Sequence, residues 1–262
     1  MTDANSLEQA LADVERDADN AVRGLAAALK EAKKVKAAAA AGLLRELRQS
    51  LDGSVRLAEA AAETTRDVRR AWSFDDQAYF SSGAYTKEIL ALAADEGVQA
   101  FESDDRILCY PAIIQVGADA TVVIDKKRDR RTRPSVLVAA LKALQSKPPK
   151  FKAGAFLEAL VVGYDLVRGR QGARSGATMK LADVYAVLTV LPGAARDYTK
   201  QEFARDLYLL DQDGTTRAKD GRTLRLPASA LTRGSGSGLF TTVTRSGQAK
   251  MYAGISLEGP TA

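Results

Sequence analysis

The chain has 262 residues, 46% of them apolar, and a formal net charge of +5. That is enough for one to three domains with real cores; with no run of about 18 apolar residues, no transmembrane helix is expected. Histidine is absent and cysteine occurs once, at Cys109, which excludes Cys/His zinc sites, Ser-His-Asp triads, Cys-His dyads and an internal disulfide.

Met1 to Ala10 carries Asp3 and Glu8 in place of a basic leader, so a cytoplasmic protein is expected. Leu7, Leu11, Val14, Ala18, Ala21, Leu25, Ala28, Ala32, Val35 and Ala39 recur at alternating spacings of four and three. This is a heptad seam, and it predicts a long helix. Continued, it meets Gly42 and Glu46, and Leu44, Leu47 and Leu51 take over in a shifted phase. Asp52-Gly53 reads as the helix end. A second helix from Ser54 carries Val55, Ala58, Ala62, Thr65, Val68 and Trp72. Two antiparallel helices follow as an arm over 1–72. The first is longer, so part of its seam has another use. Self-association or docking through Leu7, Leu11, Val14, Leu25 and Val35 is one, and burial against the protein's own body is the other.

Residues 73–146 read as a small α+β body. Ser73 to Gly83 looks like a loop. Tyr85 to Glu96 reads as a short helix, with Trp72 and Phe74 wedging the arm's end. Arg106–Val116 and Ala120–Asp125, separated by Gly117-Ala118-Asp119, read as a β-hairpin buried on both faces. Cys109 lies in the first of these runs and is expected to be a buried, inert thiol. Lys126 to Arg133 reads as a basic loop, and Pro134 opens a helix running to about Gln145.

Lys147-Pro148-Pro149-Lys150 marks a domain boundary. Beyond it, over 147–262, three helices are expected at about 153–167, 179–191 and from Thr199, where Thr199 and Glu202 fit a capping box. Arg168 to Gly176 reads as a flexible connector. Asp220-Gly221 sits between two strand candidates, Thr215–Lys219 and Arg222–Leu226. Gly234 to Gly238 reads as a linker. Leu239–Thr244 and Ala249–Leu257 form a second hairpin. The fold class is therefore α+β: a helical coiled-coil arm, a hairpin-and-helix body and a C-terminal domain of helices and hairpins. Three helices followed by a hairpin resemble a winged-helix DNA-binding domain over about 105 residues. The resemblance implies residues 199–210 as recognition helix and 239–257 as wing, with Lys200, Gln201 and Arg205 toward the groove and Arg245 and Lys250 on the wing. Glu202, Asp206 and Asp211 run against it, because carboxylates repel phosphate.

Charge is unevenly placed. Residues 73–125 hold 2 basic and 10 acidic side chains, and residues 126–152 hold 10 basic and 1 acidic. Lys126, Lys127, Arg128, Arg130, Arg131 and Arg133, followed by Lys147 and Lys150, are the expected phosphate contacts. Compensation by the acidic block is the alternative. No aromatics interleave, so base stacking is not indicated. Three functions follow. The first is a non-enzymatic DNA-associated protein that oligomerises or docks a partner through its arm. The second is a structural or adaptor subunit of a larger protein assembly. The third is a Mg²⁺-dependent nuclease using Asp125 and Lys127, with Asp105 or Asp119 as a further acid. The first two need no cofactor. Gly172 to Lys180 lacks the Gly-Lys-Ser/Thr of a P-loop.

Overall fold

The structure, a computed structural model, describes residues 6–103, 105–227 and 238–259. The expected linker residues 234–237 lie outside them. Helix and sheet are mixed, with a long N-terminal helical arm and C-terminal strands, so the class is α+β. The chain divides into two compact units. The first holds residues 1–89 with 118–120 and 131–137, and the second holds 90–117, 121–130 and 138–262. The Pro148-Pro149 segment thus falls inside the second unit.

In the first unit, α1 (Leu7–Ala41) and α2 (Leu44–Ala71) form the arm. The reversal is at Gly42, not at Asp52-Gly53 as expected. Gly42 takes φ 73°, and its N–H and that of Leu43 return to the carbonyls of Ala38 and Ala39. This is a glycine C-cap that closes a helix. Gly53 stays helical because it lies on the seam, where a Cβ would stand 3.3 Å from Glu31 Cγ. The seam is also phased differently from the expected one. Leu7, Ala21 and Ala38 on α1 and Ser50 and Ala61 on α2 are buried. At the next positions Gly24 and Glu31 turn inward, and Leu25 stays exposed. Small residues win these positions because they let the backbones approach: a Cβ on Gly24 would be 3.5 Å from Ala61 Cβ.

The arm's root is tied by carboxylates. Ser6 caps α1, and the Glu88 carboxylate accepts the N–H groups of Leu7 and Glu8, each at 3.0 Å. A negative group there suits the helix N-terminus. Asp75 caps a short helix α3 (Asp76–Ser81) inside the segment expected to be loop. Trp72, Phe74, Tyr79, Phe80 and Tyr85 follow one another as a chain of ring contacts, with Phe80 stacked on Tyr85 at 4.4 Å. Helices α4 (Ala84–Asp95) and α5 (Pro134–Gln145) form where expected and each runs from one unit into the other.

The second unit opens with an antiparallel meander, β1 (Phe101–Ser103), β2 (Arg106–Cys109), β3 (Ala112–Gly117), β4 (Thr121–Ile124) and β5 (Lys127–Asp129), paired in that order. It replaces the expected single hairpin. The chain reverses at Tyr110-Pro111, because a proline has no N–H for the ladder. It reverses again at Asp125-Lys126, where φ values of 45° and 69° make the two-residue hairpin turn that matches strand twist. The start of the basic segment is therefore an edge strand. Ile107, Ile114 and Val122 alternate onto a buried face. Arg106, Gln115, Val123 and Arg128 pair in one row across the other.

The remainder is α6 (Ala153–Gln171), β6 (Met179–Lys180), α7 (Leu181–Leu188), α8 (Ala194–Asp197), α9 (Lys200–Asp213), β7 (Thr223–Arg225), β8 (Phe240–Val243), β9 (Ala249–Tyr252) and β10 (Gly254–Glu258). Helix α6 absorbs Arg168 to Gln171 of the expected connector. The second expected helix gives up Met179 and Lys180 to a strand. The last strand, β10, lies between β6 and β7, and β8 pairs with β9. Leu157, Leu160, Tyr164, Leu181, Val184, Phe203, Leu207 and Leu257 form the core. Gly163 lets α7 close on α6: a Cβ there would be 2.9 Å from Val184 Cγ1. Arg222, after the Asp220-Gly221 turn, grips Asp165 of α6 with both terminal nitrogens at 2.7 and 2.6 Å.

Candidate functional surfaces

Helix α9 begins at the capping box, with the Thr199 N–H donated to Glu202 at 2.8 Å. Phe203, Leu207 and Leu210 point into the core. Thr199, Glu202, Arg205 and Tyr208 fall on another face, at helical spacing, and the meander occupies it. Arg106 donates to Thr199 Oγ1 at 3.2 Å. Lys126 reaches Glu202 at 3.1 Å and the Asp197 carbonyl at 2.6 Å. Arg205 reaches Asp125 at 2.9 Å and Asp206 at 3.0 Å. The ring of Tyr110 meets Tyr208 edge-on at 5.4 Å. Burial pushes the Glu202 carboxyl up, but the bonds from Thr199 and Lys126 outweigh it and hold the group below the usual range. A cleft of about 100 Å³ is left along this seam, lined by Arg106, Asp125, Lys126, Arg196 and Glu202 among others. Its charges nearly balance, so it offers neither an anion hole nor a cluster of acids.

Asp125 has a structural task. It sits in the β4–β5 turn, and its carboxylate accepts the Ile113 N–H at 3.1 Å as well as Arg205. Among the described residues, no three of Cys, Asp or Glu gather in a way that could hold a metal. Cys109 is buried, and burial pushes its thiol up to about 12.

The predicted phosphate contacts are dispersed. Lys126 and Arg205 serve the meander–α9 seam. Lys127 and Arg128 stand on edge strand β5, where cations deter pairing with another strand. Arg133 is bound by Glu8, at 2.8 Å, and by Glu15. Lys250 is bound by Asp211 and lies over the Tyr252 ring at 5.5 Å. Lys127, Arg130, Arg131, Lys147, Lys150, Lys200 and Arg245 are exposed. The acidic block meets the basic segment at Glu96 with Lys142, while Lys126 and Arg133 take their acids from α9 and α1. The β8–β9 turn is covered at its tip, where a Cβ on Gly247 would be 2.7 Å from the Phe101 ring.

The predicted oligomerisation residues separate too. Leu7 is buried within the first unit, and Leu11, Val14 and Val35 are half-buried in it. Leu25 is 51% exposed, and with it stand Val22 at 62%, Leu29 at 57%, Leu51 at 47%, Val55 at 58% and Leu44 at 63%. In a right-handed helix one residue turns about 100°. In an antiparallel pair, the residue after each seam position therefore leans to the same side on both helices. Val22, Leu25 and Leu29 follow Ala21, Gly24 and Ala28, and Leu51 and Val55 follow Ser50 and Ser54. These apolar side chains share one face of the arm. The signal that locates this face is the run of glycine, alanine and serine beside them, which claims the seam. Comparison with protein-family models, curated proteins and solved structures finds no match for the chain.

Proposed function

We propose that the chain is a non-catalytic assembly subunit that joins its complex through the exposed apolar face of the N-terminal arm. The observation that carries this is the row of large aliphatic side chains left in solvent on a helical hairpin that already has a seam of its own. Contiguous apolar patches of this kind mark interaction sites. The C-terminal half supports the same function. Among its elements, α6, β6, α7, α9, β7 and β10, with β10 between β6 and β7, resemble in order a winged helix to which α8 and the β8–β9 hairpin are added. Of the residues expected to face a groove, Arg205 is bonded to Asp125 of the meander and Lys200 is exposed, and the β8–β9 tip lies against Phe101; this supports a packing role for that side of α9.

The test is size-exclusion chromatography of extracts from source cells carrying either the native chain or a Leu25→Asp, Leu29→Asp variant. The expected result is an assembly larger than one chain that the variant leaves. Equal elution of both overturns the proposal. A second function rests on a separate observation. Lys127, Arg130 and Lys200 are exposed and among the described residues make no ion pair, which favours contact with phosphate. Binding to duplex DNA with a steep loss on adding salt, weakened by Lys127→Glu with Arg130→Glu, would establish it. No binding at low salt removes it.

A further inference from the structure

We propose that the tip of the arm, where the chain reverses at Gly42, docks on the surface of an anionic lipid bilayer. Leu43 and Leu44 enter the boundary between headgroups and acyl chains, and a collar of cations meets the lipid phosphates. These residues are separate from Val22, Leu25, Leu29, Leu51 and Val55 of the apolar face, and the contact goes beyond the assembly role.

The tip is apolar where a turn should be polar. Ala39, Ala40, Ala41, Gly42, Leu43 and Leu44 are exposed in succession, with Leu43 at 50% and Leu44 at 63%. Such a run on a water-facing turn is unfavourable unless it has a use. Leu43 adds a local cost. It occupies the N-cap of α2, where Ser, Thr, Asp or Asn would bond a backbone N–H, and no side chain caps the helix. The first N–H groups of an uncapped helix need outside acceptors, so the turn seats at the headgroup boundary and no deeper. Among the described residues no helix is long and apolar enough to cross a membrane, and the contact is confined to the surface.

Charge names the partner. From residue 30 to 51 the arm holds six cations and two acids, and from residue 7 to 28 it holds two cations and five acids. Of the two acids near the tip, Glu31 is taken by Lys34 at 2.9 Å. Lys33, Lys36, Arg45 and Arg48 are exposed and among the described residues make no ion pair. At about 1.5 Å of rise per residue, Lys36, Arg45 and Arg48 lie within about 10 Å of Gly42 along the arm, and Lys33 about 14 Å from it. With the turn at the boundary, the first three stand at the headgroups and Lys33 lies within reach of the surface potential, which extends about 8 Å. Nucleic acid would also draw these cations. It gives no use to Leu43 and Leu44, which in an end-on approach reach the partner first and would face phosphate.

The experiment is sedimentation of the purified full chain with vesicles of phosphatidylcholine alone and of phosphatidylcholine mixed equally with phosphatidylglycerol. The chain should sediment with the mixed vesicles only, and salt should release it. Lys36→Gln with Arg45→Gln should weaken binding about 25-fold, at roughly fivefold for each cation. Leu43→Ser with Leu44→Ser should weaken it about tenfold or more. The helical circular dichroism should be kept, since a serine at position 43 supplies the missing cap. A polarity-sensitive fluorophore on a Leu43→Cys chain should shift to the blue with the mixed vesicles; Cys109 is buried and takes no label. No sedimentation with the mixed vesicles at low salt overturns the proposal, as does binding that survives the serines or a label that stays in water. Duplex DNA bound by the native chain and lost by the Lys36→Gln, Arg45→Gln variant, with vesicles left unbound, gives the cations to nucleic acid and overturns it as well.

Discussion

Two glycines of the arm have opposite expected responses to alanine. Gly42 sits at φ 73°, where a Cβ meets the following carbonyl oxygen at a cost of roughly 1–2 kcal/mol. Gly42→Ala should therefore lower the arm's stability by about that amount. Gly24 is helical and a Cβ there would find Ala61 at ordinary contact distance, 3.5 Å, so Gly24→Ala should raise stability by about 0.5–1 kcal/mol through helix propensity. Urea denaturation followed by circular dichroism checks both signs. Asp125 separates backbone from side chain in the same way. Asp125→Ala keeps the Cβ at φ 45° and removes only the carboxylate's bonds to Ile113 and Arg205, which should cost about 1 kcal/mol. Asp125→Gly loses the same bonds but also sheds the left-handed strain that the native Cβ bears, so it should be less destabilised than the alanine variant by about 1–2 kcal/mol; equal losses would show that the Cβ is unstrained in this turn. At this scale the sequence is ambiguous for a physical reason. Asp125 followed by Lys127 suits a metal-dependent site as well as it suits a hairpin turn, and the bonds that Asp125 makes in the turn go to Ile113 and Arg205, which are distant in sequence.

At the scale of elements, the arm, α4, α5 and the capped start of α9 could be read directly, because period and capping are local. The phase of the α1 seam could not. Choosing the larger residue at each heptad position put Leu25 inside, whereas close backbone approach prefers Gly24. The five-strand meander was hidden for a related reason. Turns with positive φ at Asp125 and Lys126 carry no glycine to announce them. The link between α1 and α5 also escapes a linear reading, since Glu8 accepts from both the Ser135 N–H and its hydroxyl while pairing with Arg133. It gives a pH dependence. Burial pushes the Glu8 carboxyl up, but the bonds from Ser135 and Arg133 outweigh it and the group lies below its ordinary 4.5. A depressed carboxylate contributes stability that is present above the unfolded value and is lost as pH falls through the folded one. The root of the arm should therefore loosen below about pH 4.5. Glu8→Gln should be less stable than the native chain at pH 7 and should close the gap on acidification. A gap of constant size would mean that Glu8 acts by shape alone.

For the whole molecule, the two units should not unfold together. The arm's seam is built from Ala21, Gly24, Ala28, Ala38, Ser50 and Ala61, and small side chains remove little apolar area from water, about 25 cal/mol for each Å². The second unit holds a core of Phe203, Tyr164, Leu160, Leu181 and Leu207, each fully buried. Two reporters follow the units separately. The arm's two helices, of 35 and 28 residues, supply a little under half of the helical circular dichroism. The thiol of Cys109 lies in the second unit, is inaccessible, and is held protonated by burial, so alkylation waits for that unit to open. With rising urea, much of the helical signal should be lost before Cys109 becomes reactive. Single-unit thermodynamics would then fail for the chain as a whole. If the arms pair, the first transition alone should move to higher urea as protein concentration rises, by mass action, and the Cys109 transition should stay in place. Coincident transitions at every concentration would mean that the arm draws its stability from neither its seam nor a second copy, and the exposed face would have to be explained by a partner that only the cell supplies.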